Sequence, residues 1–292
     1  MKKNIVITGG AGFVGSNLIK YLLIKKTKYN IISIDNYSTG SRKNHIKSKK
    51  VKYIKLDTKN ISKVLKNPKN IHSLFHFGEF ARIYQSFLKM EECINSNTIG
   101  SNAVFNFCFT NNIKLIYSAT SATIGNKGND KNLSPYSFTK SKNLELLENL
   151  KKWFKFKFEI IYFYNVYGSN QISSGSMATV IGIFENLYRK KKPLTVVKPG
   201  TQSRRFTHID DTVKTCYLAW RRNKCRHYSI SNRESHSILE VAKMFQSKIK
   251  LLVPRRGERY ASALTSMNLS NKVHKIFGKV RLKDYIKNII KS

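Results

Sequence analysis

The sequence predicts an α/β protein: a doubly wound parallel sheet with a smaller C-terminal lobe. Three observations carry this. Short apolar runs alternate with stretches whose apolar residues recur at helical spacing, a glycine-rich turn joins the first run to the first helix, and polar residues gather where the runs end. At 292 residues and 41% hydrophobic content, the chain can bury a sizeable core, in one large domain or in two that share a cleft.

Asn4 to Thr8 reads as a buried strand. It runs into Gly9-Gly10-Ala11-Gly12-Phe13-Val14-Gly15 and a helix carrying Leu18, Ile19, Leu22 and Leu23. Strand, glycine turn and helix are the context a dinucleotide fingerprint requires: without side chains the backbone can approach a pyrophosphate and offer it helix N-terminal N–H groups. Gly10, Gly12 and Gly15 fit G-x-G-x-x-G, and Gly9, Gly12 and Gly15 fit its G-x-x-G-x-x-G variant. A second strand, Ile31 to Ile34, ends at Asp35, twenty residues past Gly15. A carboxylate there accepts from ribose hydroxyls and repels a 2′-phosphate, which favours NAD over NADP.

The βα rhythm continues through Val51 to Leu56, closing on Asp57-Thr58, and Ile71 to Phe77, closing on Gly78. Asn97 to Asn111 has helical spacing, and Ile113 to Tyr117 is a fifth strand running into Ser118-Ala119-Thr120-Ser121. A helix then opens at Ser134-Pro135 with Tyr136 and Lys140 one turn apart, on one face. A nearby ammonium lowers a phenol pKa, and that is one route by which a tyrosine becomes an acid/base group near neutral pH. Phe158 to Tyr164 is a sixth strand, ending at Asn165-Val166-Tyr167-Gly168. The pattern then changes to a helix over Met177 to Arg189, a strand over Leu194 to Val197, a helix over Asp210 to Trp220 capped by Asp210 or Asp211, and a strand over Arg226 to Ser231 that returns to the sheet. Val253 to Glu258 is a loop with two arginines, and Leu282 to Ile290 a final helix.

The formal charge is +38, from 54 Lys and Arg against 16 Asp and Glu. Such a balance suits a polyanion or a phosphorylated substrate, but the basic residues are spread rather than blocked, which reads as a solvated surface that steers phosphates. No apolar run is long enough to span a bilayer, and strand-like residues follow Lys2-Lys3 directly, so the expectation is a cytoplasmic protein without a membrane span. Cys93, Cys108, Cys216 and Cys225 form no CxxC pair and no metal-ligand spacing with histidine. They read as reduced structural thiols, and no metal is expected.

Taken together, ITGGAGFVGSNL, IDNYSTG, HFGEFAR, the Thr120/Tyr136/Lys140 set, YFYNVYG, PGTQSRRFTHIDD and PRRGE make the sequence resemble the extended short-chain dehydrogenase/reductases, the NAD-dependent nucleotide-sugar epimerases and dehydratases. Within that family it is most similar to the UDP-glucose 4-epimerase group. The resemblance covers nearly the whole chain. It implies an NAD-binding Rossmann domain over residues 1–166 with a returning segment near 206–232, and a mainly substrate-binding lobe over 167–292. The implied NAD contacts are Gly9, Gly12, Phe13, Val14, Gly15, Asp35, Asn36, Asp57, Thr58, Phe77, Gly78, Asn97, Tyr136 and Lys140.

By the same resemblance Tyr136 is the catalytic base, Lys140 its electrostatic partner, and Thr120 the hydroxyl that meets the reacting oxygen, with Ser121 as the alternative. Asn165 would contact the sugar nucleotide, and Arg204 and Arg255 its diphosphate, where guanidinium forks suit phosphate oxygens. A homodimer is implied. Two departures stand out: Arg205 occupies a position where the family often has Asp, which adds a positive group near the phosphates, and Glu79 follows Phe77-Gly78 where small residues are common, which puts a carboxylate either at the active-site rim or in a structural or surface role.

Family dehydratases carry an Asp-Glu pair after the active-site Thr, and decarboxylases a Glu; here Ser121-Ala122 follows. The expectation is therefore an epimerase, most of all a 4-epimerase of a UDP-hexose, with a dehydratase, dehydrogenase or reductase of the same family as the alternative. A reading from another class is a non-catalytic NAD-binding protein that holds RNA through its charge, and the intact Tyr136–Lys140 pair argues against it.

Overall fold

The chain was analysed as a computed structural model, which describes residues 3–124, 131–254 and 273–292. In its N-terminal half, β1 (Asn4–Thr8), α1 (Phe13–Ile24), β2 (Asn30–Asp35), β3 (Val51–Lys55), a short α2 (Ile61–Val64) and β4 (Ile71–His76) precede α3 (Ile83–Leu88), α4 (Met90–Ile94) and α5 (Ser101–Thr110). Then come β5 (Lys114–Thr120), α6 (Pro135–Phe154) and β6 (Phe158–Phe163). The C-terminal half runs β7 (Val166–Tyr167), α7 (Val180–Arg189), β8 (Leu194–Val197), β9 (Ser203–Arg205), β10 (Thr207–His208), α8 (Ile209–Arg222), β11 (His227–Ser231), β12 (Ser235–Ser237), α9 (Ile238–Met244), β13 (Ile249–Leu252), β14 (Val273–Phe277) and α10 (Leu282–Lys291).

Eight strands form one parallel sheet in the order β3-β2-β1-β4-β5-β6-β11-β14. The order reverses between β1 and β4, which is where a doubly wound sheet opens its ligand crevice. Side-chain alternation explains the two layers: Ile5 and Ile7 of β1 pack with Leu18, Ile19, Val213 and Trp220 on one face, whereas Val6 packs with Leu74, Val104 and Leu115 on the other. A third core, with Ile181, Phe184, Val196, Phe245 and Ile286, fills the C-terminal lobe. Although they lie late in the chain, α8 packs on the main sheet and β11 pairs with β6.

Four local expectations change. The fifth strand runs to Thr120, because Ser118, Ala119 and Thr120 pair with Ile161, Tyr162 and Phe163. The helix expected over Asn97 to Asn111 begins as α4 and passes through a π-helical turn at Asn95–Gly100 before α5. At the start of α8 the cap is His208, whose side chain accepts from the Asp210 N–H, and not an aspartate. Asp211 is buried instead, accepting from the Val280 N–H at 3.0 Å. Finally, β14 is an edge strand absent from the sequence reading, in parallel register with β11.

All four cysteines are free thiols. Among the described residues no His, Cys, Asp and Glu group could hold a metal, and no helix is long and apolar enough to cross a membrane.

Candidate nucleotide and catalytic site

The glycine turn is held by backbone contacts that exclude side chains. Gly9 has φ +67°, and a Cβ there would lie 2.8 Å from the Phe77 carbonyl; one on Gly15 would lie 2.2 Å from the Gly9 oxygen. Gly12, extended, is the N-cap of α1 and offers no side-chain acceptor to the first-turn N–H groups of Phe13, Val14 and Gly15, and no acid lies in that turn. Those donors fit an anionic pyrophosphate. Asp35, 7% exposed, braces the turn: its Oδ2 accepts from the Ala11 N–H at 3.0 Å and its Oδ1 from the Tyr37 N–H at 2.8 Å. Burial raises its pKa against those N–H contacts.

The other strand ends converge on the same edge. Asn36 donates to Asp57 Oδ2 at 3.3 Å, and Thr58 is buried against Gly78 and Gly100. Phe77 and Gly78 donate their N–H groups to the Thr8 hydroxyl at 3.2 and 3.1 Å. Asn97 is fully buried and bonded to protein: its Oδ1 accepts from the Phe80 N–H at 2.7 Å, and its Nδ2 donates to the Phe80 carbonyl at 3.0 Å and to the Thr139 hydroxyl at 3.2 Å. Its carboxamide thus fixes the backbone of the loop after β4.

Tyr136 enters from α6, whose start is strongly specified. Ser134 caps it, accepting from the Ser137 N–H at 3.0 Å, Pro135 takes the first helical position, and the Tyr136 N–H donates to the Ser86 hydroxyl of α3 at 3.2 Å. Tyr136 is 9% exposed, and its phenol lies near enough to the Thr120 side chain at the end of β5 for that side chain to favour the ionised form. Thr120 also caps the turn at Ser121–Thr123, all of it buried.

Here one expectation is corrected. Lys140 lies on the face of α6 shared with Tyr136, but the phenol pKa is pushed up to about 12, by burial first, with the Glu79 charge adding to it; the nearby Thr120 side chain and the Arg82 charge oppose the rise. Burial, rather than the Lys140 charge, sets the direction of the shift, and the Lys140 ammonium is ion-paired with Glu79, both side chains nearly fully buried. Lys140 also donates to the Ser118 carbonyl and lies 4.4 Å from the centre of the Tyr117 ring.

Glu79 is correspondingly not at the rim but beneath the site. Its Oε1 accepts from the Ser101 hydroxyl at 2.8 Å, the Tyr117 hydroxyl at 2.9 Å and Asn143 Nδ2 at 3.2 Å. The chain of contacts continues through Ser101 to His76 Nε2 at 3.0 Å and from His76 Nδ1 to the Thr8 hydroxyl at 2.7 Å. Fully buried, His76 has its pKa lowered to about 4 and is neutral. The Thr8 hydroxyl, which takes the N–H groups of Phe77 and Gly78, donates to Nδ1, so Nε2 carries the ring proton.

In the C-terminal half, Asn165 has φ +36° and donates through Nδ2 to the Arg205 carbonyl at 2.8 Å. Arg204 is 8% exposed in β9, which pairs with β12. Arg205 Nη1 donates to the carbonyls of Asn232 and Arg233, so this guanidinium staples backbone segments together. Arg255 lies outside the described residues.

Sequence reading passed over Arg82, His76, Ser101 and Asn143. A signal for Asn143 was present: Tyr136, Thr139, Lys140 and Asn143 follow the i, i+3, i+4, i+7 pattern of one helix face, and all four are buried. Arg82, three residues past Glu79, donates through Nε to the Met177 carbonyl at 2.9 Å, and Met177 packs against the cluster that contains Tyr136.

Comparison with known proteins agrees with this geometry. The model of the NAD dependent epimerase/dehydratase family matches residues 5–231. The chain is 27% identical over 269 residues to dTDP-D-glucose 4,6-dehydratase of Dictyostelium discoideum, covering 82% of this chain but only 61% of that protein's length. It is also 27% identical over 263 residues to an uncharacterised UDP-glucose epimerase of Bacillus subtilis, covering 83% of this chain and 81% of the relative. The structure of UDP-glucuronic acid 4-epimerase from Bacillus cereus, in complex with UDP-glucuronic acid and NAD, superimposes with a TM-score of 0.83 at 25% identity over 99% of both chains. With its glycine turn, its Asp35 brace and the Tyr136–Thr120 pair on one sheet edge, the chain belongs to the NAD-dependent epimerase/dehydratase family of extended short-chain dehydrogenase/reductases.

Proposed function

We propose that the protein is a nucleotide-sugar epimerase that inverts C4 of a UDP-hexose through a keto-sugar. NAD, when bound at the glycine turn, supplies reversible hydride acceptance. Tyr136 takes the proton of the sugar hydroxyl and later returns it, and Thr120, whose side chain lies near the phenol, orients the reacting oxygen. Lys140 would, by the family resemblance, donate to the nicotinamide ribose when NAD is bound. Asn165 would contact the sugar nucleotide, and Arg204 and Arg255 would grip its diphosphate.

One observation carries the choice of epimerase over dehydratase. The turn after Thr120 is Ser121-Ala122-Thr123, buried and without a carboxylate. Among the described residues, the acid that acts on Tyr136 is Glu79, and it is ion-paired with Lys140. Among the described residues, no second acid is thereby offered to a departing C6 hydroxyl. The two named 4-epimerase and epimerase relatives support the same reading, while the dehydratase relative marks the alternative.

The test is a panel of UDP-, GDP-, CDP- and dTDP-sugars incubated with the protein and resolved by chromatography and mass spectrometry. The reading expects an isomeric sugar nucleotide of unchanged mass from a UDP-hexose. A product lighter by one water would replace it with a dehydratase.

A further inference from the structure

Glu79 is one of only 16 acidic residues in a chain of net charge +38, and it is nearly fully buried beneath the proposed reaction centre. Its two oxygens have four partners: Lys140 on Oε2, and Ser101, Tyr117 and Asn143 on Oε1. Those partners come from α6, α5 and β5, so the carboxylate ties together three elements that meet below Tyr136. Lys140 is enclosed by the Glu79 carboxylate, the Ser118 carbonyl and the Tyr117 ring. A surface carboxylate that happened to find a lysine would not gather four partners from three elements in this way.

We infer that Glu79 is a positioning residue for the reaction: it fixes the Lys140 ammonium and offsets its charge beneath the Tyr136 phenol. Lys140 then serves the site as an oriented hydrogen-bond donor rather than as a net positive charge. An ammonium has three hydrogens, and two are directed to Glu79 and Ser118, which aims the third. The inference rests on Tyr136 being the acid/base group.

The charged and titratable groups around Tyr136 can be named from every side. The loop after β4 brings Glu79 and Arg82, α4 brings Cys93, β5 brings Tyr117 and the Thr120 hydroxyl, and α6 itself brings Lys140. Of these, Glu79 opposes ionisation of the phenol and Arg82 favours it, while the Cys93 thiol, pushed up to about 11, is neutral at physiological pH. Arg82 is anchored for this role by its bonds to the Met177 and Ala81 carbonyls, which are neutral acceptors that leave its charge in place.

The experiment needs no substrate, so its failure is distinct from failure of the epimerase reading. Protein labelled at tyrosine 13Cζ and loaded with NAD is titrated by NMR, with the Tyr136 signal identified by its loss in Tyr136→Phe. Glu79→Gln, nearly isosteric, should lower the Tyr136 midpoint by about one pH unit or more, since it removes an anion beside the phenol and uncovers a cation. Lys140→Met should raise it, and the double variant should return to within about half a unit of the unaltered protein if the pair is neutral as a unit. Lys140→Met serves if Glu79→Gln does not fold, since its predicted rise needs no Glu79 variant. An unchanged or raised midpoint in Glu79→Gln, or an unchanged or lowered one in Lys140→Met, overturns the inference; a merely structural Glu79 would move stability but not the midpoint.

Discussion

The glycine turn after β1 and the polar cluster beneath Tyr136 share one carboxyl edge of one sheet, yet they are built in opposite ways. The first is made by removing side chains: Gly9, Gly12 and Gly15 let backbone pack on backbone and leave helix N–H groups open to a phosphate. The second is made by adding them, with Thr8, His76, Glu79, Ser101, Tyr117, Lys140 and Asn143 joined by hydrogen bonds in a space closed to water. A backbone-built site is local in sequence and tolerates little variation in residue type. A side-chain network draws on distant segments, and any single member can be lost only at the expense of the partners it leaves unpaired.

The comparison makes the network the more fragile half. Glu79→Ala would leave the Lys140 cation buried without a counter-ion and should cost about 3–5 kcal/mol of folding stability, read from the denaturant midpoint at constant slope. A loss below about 1 kcal/mol would mean that the ion pair contributes no more than an exposed one.

A second break uses pH. His76 has a folded pKa of about 4 against an ordinary value of 6.5, so between those values the unfolded chain binds more protons than the folded one. Stability therefore rises with pH across that window and is lost as pH falls through it, by about 3 kcal/mol at pH 4 relative to neutral. Measured as unfolding free energy against pH, His76→Gln should flatten this slope, whatever it does to stability at neutral pH. An unaltered slope would place the acid sensitivity elsewhere.

The smaller effect on stability belongs to the turn. Gly15→Ala puts a Cβ against the Gly9 oxygen and should cost about 1–3 kcal/mol. Its larger consequence is loss of NAD affinity, because the turn must open where the pyrophosphate would sit. Calorimetric titration with NAD would check this; full affinity in the variant would separate the turn from the cofactor.

The same contrast explains what the sequence made legible. The strands of the nucleotide-binding half are continuous apolar runs, and the turn is contiguous, so both could be read from spacing alone. Tyr136 and Lys140 could be placed on one face because a helix repeats locally. The ion pair of Lys140 could not, since Glu79 lies 61 residues earlier and its depth depends on Asn97 holding the Phe80 backbone. Likewise β14 escaped because Val273–Phe277 alternates only weakly, and its place is fixed by pairing with β11 rather than by its own pattern. His208 was passed over as a cap because the two aspartates after it offer the more familiar signal, and burial of Asp211 against Val280 is a tertiary event.

The central claim is that Tyr136, paired with Thr120, performs proton transfer in a nucleotide-sugar epimerisation. The most direct measurement is the interconversion rate of UDP-hexoses by the NAD-loaded protein and by its Tyr136→Phe variant, followed by product chromatography. The account predicts conversion to the C4 epimer by the unaltered protein and a fall of about 10²- to 10⁴-fold in the variant. Equal rates in the two proteins, or no conversion of any UDP-hexose by either, would contradict it.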